Sequence, residues 1–290
     1  LLTLVCFYLY MSSGAGPAKG FLRALKYRAL PAALFFVALL YKETAVALPV
    51  MIVVYEALTI RDTGLLSFKR IRRYLPFAAS AGAYGVARYL ALKGEVTPSI
   101  TLHDYLTGPQ FILNSVVQFA VDLRMLLLPV NDYPLQLLDP VFSITEPRAL
   151  ISVLAALLIP AALIILRKRV SALHLLAVVF IVLPLLPTLY APAISYFPYA
   201  DRYLYFPTIG IGLLVALVLA VSLEHGSRAL ARSSVAAFVC VAVVFSLWAA
   251  SRNGYWRDDL SLWSASLAGD PENYAALHSI GVYRVKHGER

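Results

Sequence analysis

Long apolar runs separated by short clusters of Lys and Arg constrain this chain more than any other feature. The runs occupy residues 1–10, 30–58, 74–92, 111–128, 150–166, 173–189, 203–223 and 235–250. A hydrocarbon core about 30 Å thick takes roughly 20 apolar residues as helix, since a helix satisfies its own backbone hydrogen bonds where no water is present. Of the 290 residues, 60% are hydrophobic and 14% charged, and the mean hydropathy is +0.75. That composition excludes a soluble globular domain and predicts an all-α, polytopic membrane bundle. The net charge of +9 is carried largely by short loops between apolar runs. Such a distribution belongs to membrane-flanking loops, and nucleic acid is not an expected partner.

The position of those cations predicts an orientation. The stretch 12–29 carries Lys19, Arg23, Lys26 and Arg28 without an acid, and 61–73 carries Arg61, Lys69, Arg70, Arg72 and Arg73 against Asp62 alone. If both face the cytoplasm, the run 30–58 crosses an even number of times. It is too short for two full spans of ~20 residues, so two short or tilted helices meeting at Lys42-Glu43, or a broken re-entrant pair, are expected. Residues 74–92 then cross outward, and Arg167-Lys168-Arg169 marks the next cytoplasmic turn. Parity leaves one crossing between them. Asn114, Gln118 and Asp122 recur at i, i+4 and i+8, one face of a helix, so 111–128 is read as an amphipathic outer-surface helix and 150–166 as the span. The remaining runs alternate, with the tyrosine-rich loop around Tyr190, Tyr196, Phe197 and Tyr199 outside and Arg228 and Arg232 inside. Two domains follow: a membrane domain at 1–251 and an extracytoplasmic tail at 252–290.

Cys6 and Cys240 lie inside apolar runs and predict neither a disulfide framework nor a metal site. The His residues are scattered, and no Gly-rich phosphate loop or Gly-x-Ser-x-Gly elbow is present. The opening run 1–10 is about half a span in length, so at least one earlier segment is expected.

Polar residues converge on the outer face: Lys42-Glu43, the Asn114/Gln118/Asp122/Arg124 helix, Asp201-Arg202 with Tyr203, and Arg88 with Tyr84 one turn before it. Ionisable groups at membrane depth are costly and face a cavity or a partner. Mutual pairing, such as Glu43 with Arg88, is one reading. The other is a site in which Lys42, Arg88 and Arg202 offset the charge of a lipid phosphate while an apolar groove takes its tail. In the tail, Trp256-Arg-Asp-Asp-Leu-Ser-Leu-Trp263 leads into Asp270-Pro-Glu-Asn273 and a segment with Ile280-Gly281 and Gly288. That segment resembles the first helix and turn of a tetratricopeptide repeat, and a short amphipathic helix closing the membrane domain is the alternative.

Taken in order, Tyr41-Lys-Glu-Thr44, Ala200-Asp-Arg-Tyr-Leu-Tyr-Phe-Pro-Thr-Ile-Gly210 and the Trp256…Trp263…Pro271 lead resemble the transmembrane and tetratricopeptide-repeat O-mannosyltransferases and their bacterial relatives, within the GT-C glycosyltransferases. The resemblance runs along nearly the whole chain through short motifs. Asp201 stands where that family has Glu before Arg-Tyr. The resemblance implies inverting transfer of a sugar, mannose being the expected one, from a polyprenyl-phosphate donor to a protein hydroxyl on the extracytoplasmic face. It implies no cofactor beyond that donor, and repeats that engage a protein acceptor or partner. It puts the catalytic acid in a first outer loop, upstream of Leu1, and leaves Lys42, Glu43, Arg88, Asp201, Arg202 and Tyr203 as the wall of the donor site. A lipid-linked oligosaccharide ligase or polymerase is the same-fold alternative, and a non-catalytic membrane anchor for a repeat array is the alternative from another class.

Overall fold

The computed structural model describes residues 2–12, 29–59, 68–92, 106–128, 133–137, 139–165, 170–189 and 199–288. The loop cations Lys19, Arg23, Lys26, Arg28, Arg61, Arg167, Lys168 and Arg169, and the aromatics Tyr190, Tyr196 and Phe197, lie outside the described residues. In chain order the helices are α1 (Leu2–Ser12), α2 (Leu30–Tyr41), α3 (Leu48–Thr59), α4 (Phe68–Ala91), α5 (Gly108–Leu127), α6 (Pro147–Ile165), α7 (Ala172–Val182), α8 (Tyr205–His225), α9 (Arg228–Arg252), α10 (Asp259–Gly269) and α11 (Tyr274–Lys286). Among the described residues the β-structure is a single isolated antiparallel bridge between Gln136 and Tyr199. The all-helical expectation therefore stands.

Among the described residues, five helical stretches are long and apolar enough to cross a membrane: Gly108–Leu127, Pro147–Ile165, Ala172–Leu189, Tyr205–His225 and Arg228–Trp256. This set differs from the charge-parity reading in two places. α5, expected to lie on the surface, meets the length and hydropathy of a span, while α4, expected to cross, does not. The cause is composition. α5 has a mean hydropathy of 1.2, the lowest of the five, because its Asn, Gln and Asp stripe is offset by Leu, Val and Phe around the rest of the helix. α4 opens with Lys69, Arg70, Arg72 and Arg73 and continues in Ala, Gly and Ser, so few large apolar side chains remain.

The run 30–58 breaks where expected. α2 starts at Leu30 and carries Pro31 in its first turn, where a missing N–H costs nothing. It ends at Tyr41, a 3-10 turn spans Glu43–Ala47, and α3 resumes at Leu48. The core is built around this broken pair. Cys6, Phe7 and Tyr10 of α1, Phe35 and Leu39 of α2, Met51 and Ile52 of α3, Phe77 of α4 and Phe180 of α7 form one buried cluster. The Phe7 ring meets Phe180 edge-on at 5.3 Å and Phe77 lies 5.7 Å from Phe35. Between apolar helices in lipid, such packing stabilises by shape and dispersion more than by excluding water.

α7 and α8 pack closely at Gly210. A Cβ there would lie 2.5 Å from the Ala177 carbonyl oxygen and 2.6 Å from Ile181 Cγ1, so a hydrogen is all that fits. α8 stops at Gly226, and Ser227 caps α9 by accepting the Leu230 N–H at 3.2 Å. No residue of α9 is buried, so its Val, Ala, Phe and Leu surface points outward all round, as for a helix solvated by lipid.

The tail is a helical hairpin. Asp258 caps α10 through Ser261 N–H at 2.7 Å, and Asn273 caps α11 through Ala276 N–H at 3.0 Å. The hairpin packs on the loop between α5 and α6. Ser266 donates its hydroxyl to the Pro134 carbonyl at 2.5 Å, and Asn273 donates its amide to the Leu135 carbonyl at 3.2 Å. A side chain at Gly269 would run into Tyr133.

Candidate anion site at Lys42, Arg202 and Tyr203

The break after α2 is what presents Lys42. Its backbone is extended, with φ −158° and ψ 125°, while its N–H still closes the helix on Ala38 O at 2.9 Å. The side chain reaches a second, distant break. Asp201–Tyr203 forms a short 3-10 turn ahead of α8, closed by Tyr203 N–H to Ala200 O at 2.9 Å and Leu204 N–H to Asp201 O at 3.0 Å. That turn buries Tyr203, 7% exposed, and leaves Asp201 and Arg202 exposed.

The two breaks meet over one ring. Lys42 Nζ lies 4.8 Å from the centre of the Tyr203 ring and Arg202 Cζ lies 5.1 Å from it. Each cation–π contact stabilises by about 0.5–2 kcal/mol, depending on how dry it is. Two like charges held beside one ring also repel, and an anion placed against both relieves that repulsion. Among the described residues neither Lys42 nor Arg202 is in an ion pair.

Glu43 and Arg88 are paired with one another. Arg88 Nη1 lies 2.5 Å from Glu43 Oε1, and the same nitrogen reaches Tyr84 Oη at 3.1 Å. The carboxylate beside Lys42 in the chain thus serves Arg88 of α4. Of the six residues expected to form a site, Lys42, Arg202 and Tyr203 share one cluster, with Asp201 at the head of the same turn. Glu43 and Arg88 form an adjoining pair linked through the Lys42–Glu43 peptide.

The polar stripe of α5 turns inward. The Asn114 amide donates to the Val141 and Gln110 carbonyls, both at 2.8 Å, and its oxygen accepts the Val141 N–H at 2.9 Å. Gln118 donates to the Thr188 carbonyl at 3.1 Å. Asp122 is 1% exposed, and its Oδ2 has no hydrogen-bond partner among the described residues. One turn on, Met125 packs with Leu185 and Leu204, and Tyr199 lies against that group. Burial, reinforced by the Asp122 carboxylate, holds the Tyr199 phenol above its usual range. The stripe itself thus ties α5 to Val141 and Thr188, while Met125 packs against the segment that carries Arg202 and Tyr203.

A further cluster was not anticipated. Glu56 of α3, 2% exposed, accepts from Tyr10 at 2.5 Å and Tyr74 at 2.6 Å, and Arg73 Nη1 lies 3.5 Å away. Its one signal in the sequence is a lone carboxylate late in an apolar run, and its partners are remote in the chain. Arg73 and Arg88 stand ~22 Å apart along α4 at 1.5 Å per residue, so each end of that helix meets one carboxylate of the α2–α3 stretch. Among the described residues no group of three or more His, Cys, Asp or Glu is placed to hold a metal ion.

Apolar helices of spanning length, a helix broken by a cationic residue and a cation–tyrosine cluster at the head of α8 define a multi-pass helical membrane protein with a candidate anion site. No protein-family model, curated protein or solved structure matches the chain.

Proposed function

We propose that this protein is a membrane glycosyltransferase of the GT-C kind, and that Lys42, Arg202 and Tyr203 bind the phosphate of a polyprenyl-phosphate sugar donor on the extracytoplasmic face. One observation carries the reading: two cations from helix breaks remote in sequence converge on one tyrosine, with no carboxylate paired to either among the described residues. A phosphate offers oxygens to the planar fork of Arg202 and to the ammonium of Lys42 at once. The polyprenyl tail would lie along the outward apolar faces of the neighbouring helices.

In the transfer, the oxygen of a protein hydroxyl attacks the anomeric carbon from the side opposite the phosphate. The carbon–phosphate oxygen bond breaks, configuration inverts, and the hydroxyl proton passes to a carboxylate base. Negative charge grows on the departing phosphate, and fixed cations there lower the barrier. Lys42 and Arg202 take that part, with the Tyr203 ring holding both in place. Glu43 and Arg88 set the height of the Lys42 break through their ion pair. The tail would meet the protein acceptor.

The test is turnover. Protein reconstituted in liposomes, given a radiolabelled polyprenyl-phosphate sugar and a Ser/Thr peptide, should transfer label to the peptide. Arg202→Ala should lower transfer by about two orders of magnitude, the scale seen when one group stabilising transition-state charge is removed, with insertion unchanged. Unaltered transfer by both Arg202→Ala and Lys42→Ala would defeat the assignment.

A further inference from the structure

The tail hairpin touches the loop between α5 and α6, and that loop touches the Arg202 turn. Ser266 and Asn273, both 0% exposed, donate to two successive carbonyls, Pro134 and Leu135. Leu135 sits at φ +58°, the one positive φ among the described non-glycine residues. A branched side chain enters that region only where its surroundings hold it, and here the holding contact is the Asn273 amide. The next residue, Gln136, 7% exposed, forms the antiparallel bridge with Tyr199. Tyr199 packs with Leu204 and precedes Ala200, whose carbonyl closes the Asp201–Tyr203 turn.

We infer that the α10–α11 hairpin is a positioning element for the Lys42–Arg202–Tyr203 site, acting through Leu135, Gln136 and Tyr199. The inference rests on the lipid-phosphate reading of that site for its ligand, though the contacts themselves stand apart from it. The tail is thus part of the site's framework, and whatever engages α10 or α11 has a short route to Arg202. Undocking the hairpin frees Leu135 from its left-handed conformation and slackens the bridge to Tyr199. The turn that holds Arg202 over the Tyr203 ring then loses its lateral support.

Asn273 allows a clean test because its two ends do different jobs. Asn273→Asp keeps a side-chain oxygen to cap α11 but removes the donor to Leu135 O. Asn273→Ser keeps a cap and loses the reach. Hydrogen exchange of the full-length protein in nanodiscs is followed at residues 199–204 and at 274–286, together with binding of farnesyl phosphate as probe. Exchange at 199–204 should rise about 3- to 10-fold in both variants, as the loss of one hydrogen bond implies, with binding weakened by a similar factor. A disulfide formed by Gln136→Cys with Tyr199→Cys, at a spacing that antiparallel neighbours permit, should return both readouts to the wild-type level.

Unchanged exchange at 199–204 overturns the inference, including where α11 itself frays, since a frayed hairpin has also left Leu135. A rise that the formed disulfide does not reverse overturns the route through Gln136 and Tyr199. Failure of the wild type to bind farnesyl phosphate counts against the proposed function, while the exchange measurement still decides whether the tail positions the turn.

Discussion

Lys42 and Tyr203 stand far apart in the chain, yet the ammonium of one lies 4.8 Å from the ring centre of the other. Neither residue is on a regular helix. Lys42 is the extended residue that ends α2, and Tyr203 closes a 3-10 turn before α8. Two interruptions in apolar helices meet, and the second cation, Arg202, comes with the tyrosine. Irregular backbone in such a bundle is tolerated where it is buried in protein or lines a cavity, and the coincidence of both breaks at one cationic cluster is what makes this point the candidate site.

Glu56 holds α1, α3 and α4 together through Tyr10, Tyr74 and Arg73. Glu56→Ala removes the buried carboxylate that accepts from Tyr10 and Tyr74 and lies beside the Arg73 guanidinium. A loss of about 3 kcal/mol is expected, read as a lowered unfolding midpoint in detergent. Tyr10→Phe should cost about 1 kcal/mol, the net worth of one hydrogen bond. Equal midpoints for wild type and Glu56→Ala would show that the cluster is not structural.

Gly210 permits the α7–α8 contact. Gly210→Val places carbon against the Ala177 carbonyl oxygen and the Ile181 side chain, and the carbonyl is backbone, with no rotamer by which to yield. The helices must separate, at an expected cost of about 1–3 kcal/mol. Because α8 begins beside the Arg202 turn, the same variant should bind lipid phosphate more weakly. Gly212→Ala, where nothing lies within 4 Å, is the control and should leave both properties unchanged.

The cap of α10 gives a pH dependence with a defined sign. The Ser261 backbone N–H bonded to Asp258 holds that carboxyl below its ordinary value of 3.8. Its folded pKa is depressed, so the contribution is fully present above the unfolded value and is lost as pH falls through the lower folded value. The first turn of α10 should therefore stay protected at pH 5 and fray only as pH falls below that ordinary value of 3.8. Amide exchange at Leu260–Leu262 checks this, and Asp258→Asn should remove the pH dependence while keeping the cap.

The parts of this architecture readable in the sequence are those set by nearby residues. A charged pair inside an apolar run predicts a break at Lys42, and the i, i+4 spacing of Asn114, Gln118 and Asp122 predicts one polar face. Glu43–Arg88 pairing was one of two readings open from charge alone, and the fold shows that pair. What the sequence leaves unread depends on contacts remote in the chain. Glu56 looks like a blemish in an apolar run until Tyr10 and Tyr74 are brought beside it. Ser266 and Asn273 look like ordinary helix polar groups until Pro134 and Leu135 arrive. The charge-parity reading and the length-and-hydropathy set differ at α4 and α5, because loop charge reports which side a loop faces, whereas spanning length depends on the side chains between loops.

The most direct measurement is binding of a lipid phosphate to the purified full-length protein in nanodiscs, comparing farnesyl phosphate with farnesol. Wild type should bind the phosphate and not the alcohol, and affinity should fall as salt rises. Arg202→Ala and Lys42→Ala should each weaken binding about tenfold or more, the effect of losing a charge-assisted hydrogen bond of ~1.5–3 kcal/mol. Equal binding of farnesol and farnesyl phosphate, or affinity indifferent to both substitutions, would contradict an anion site at Lys42, Arg202 and Tyr203.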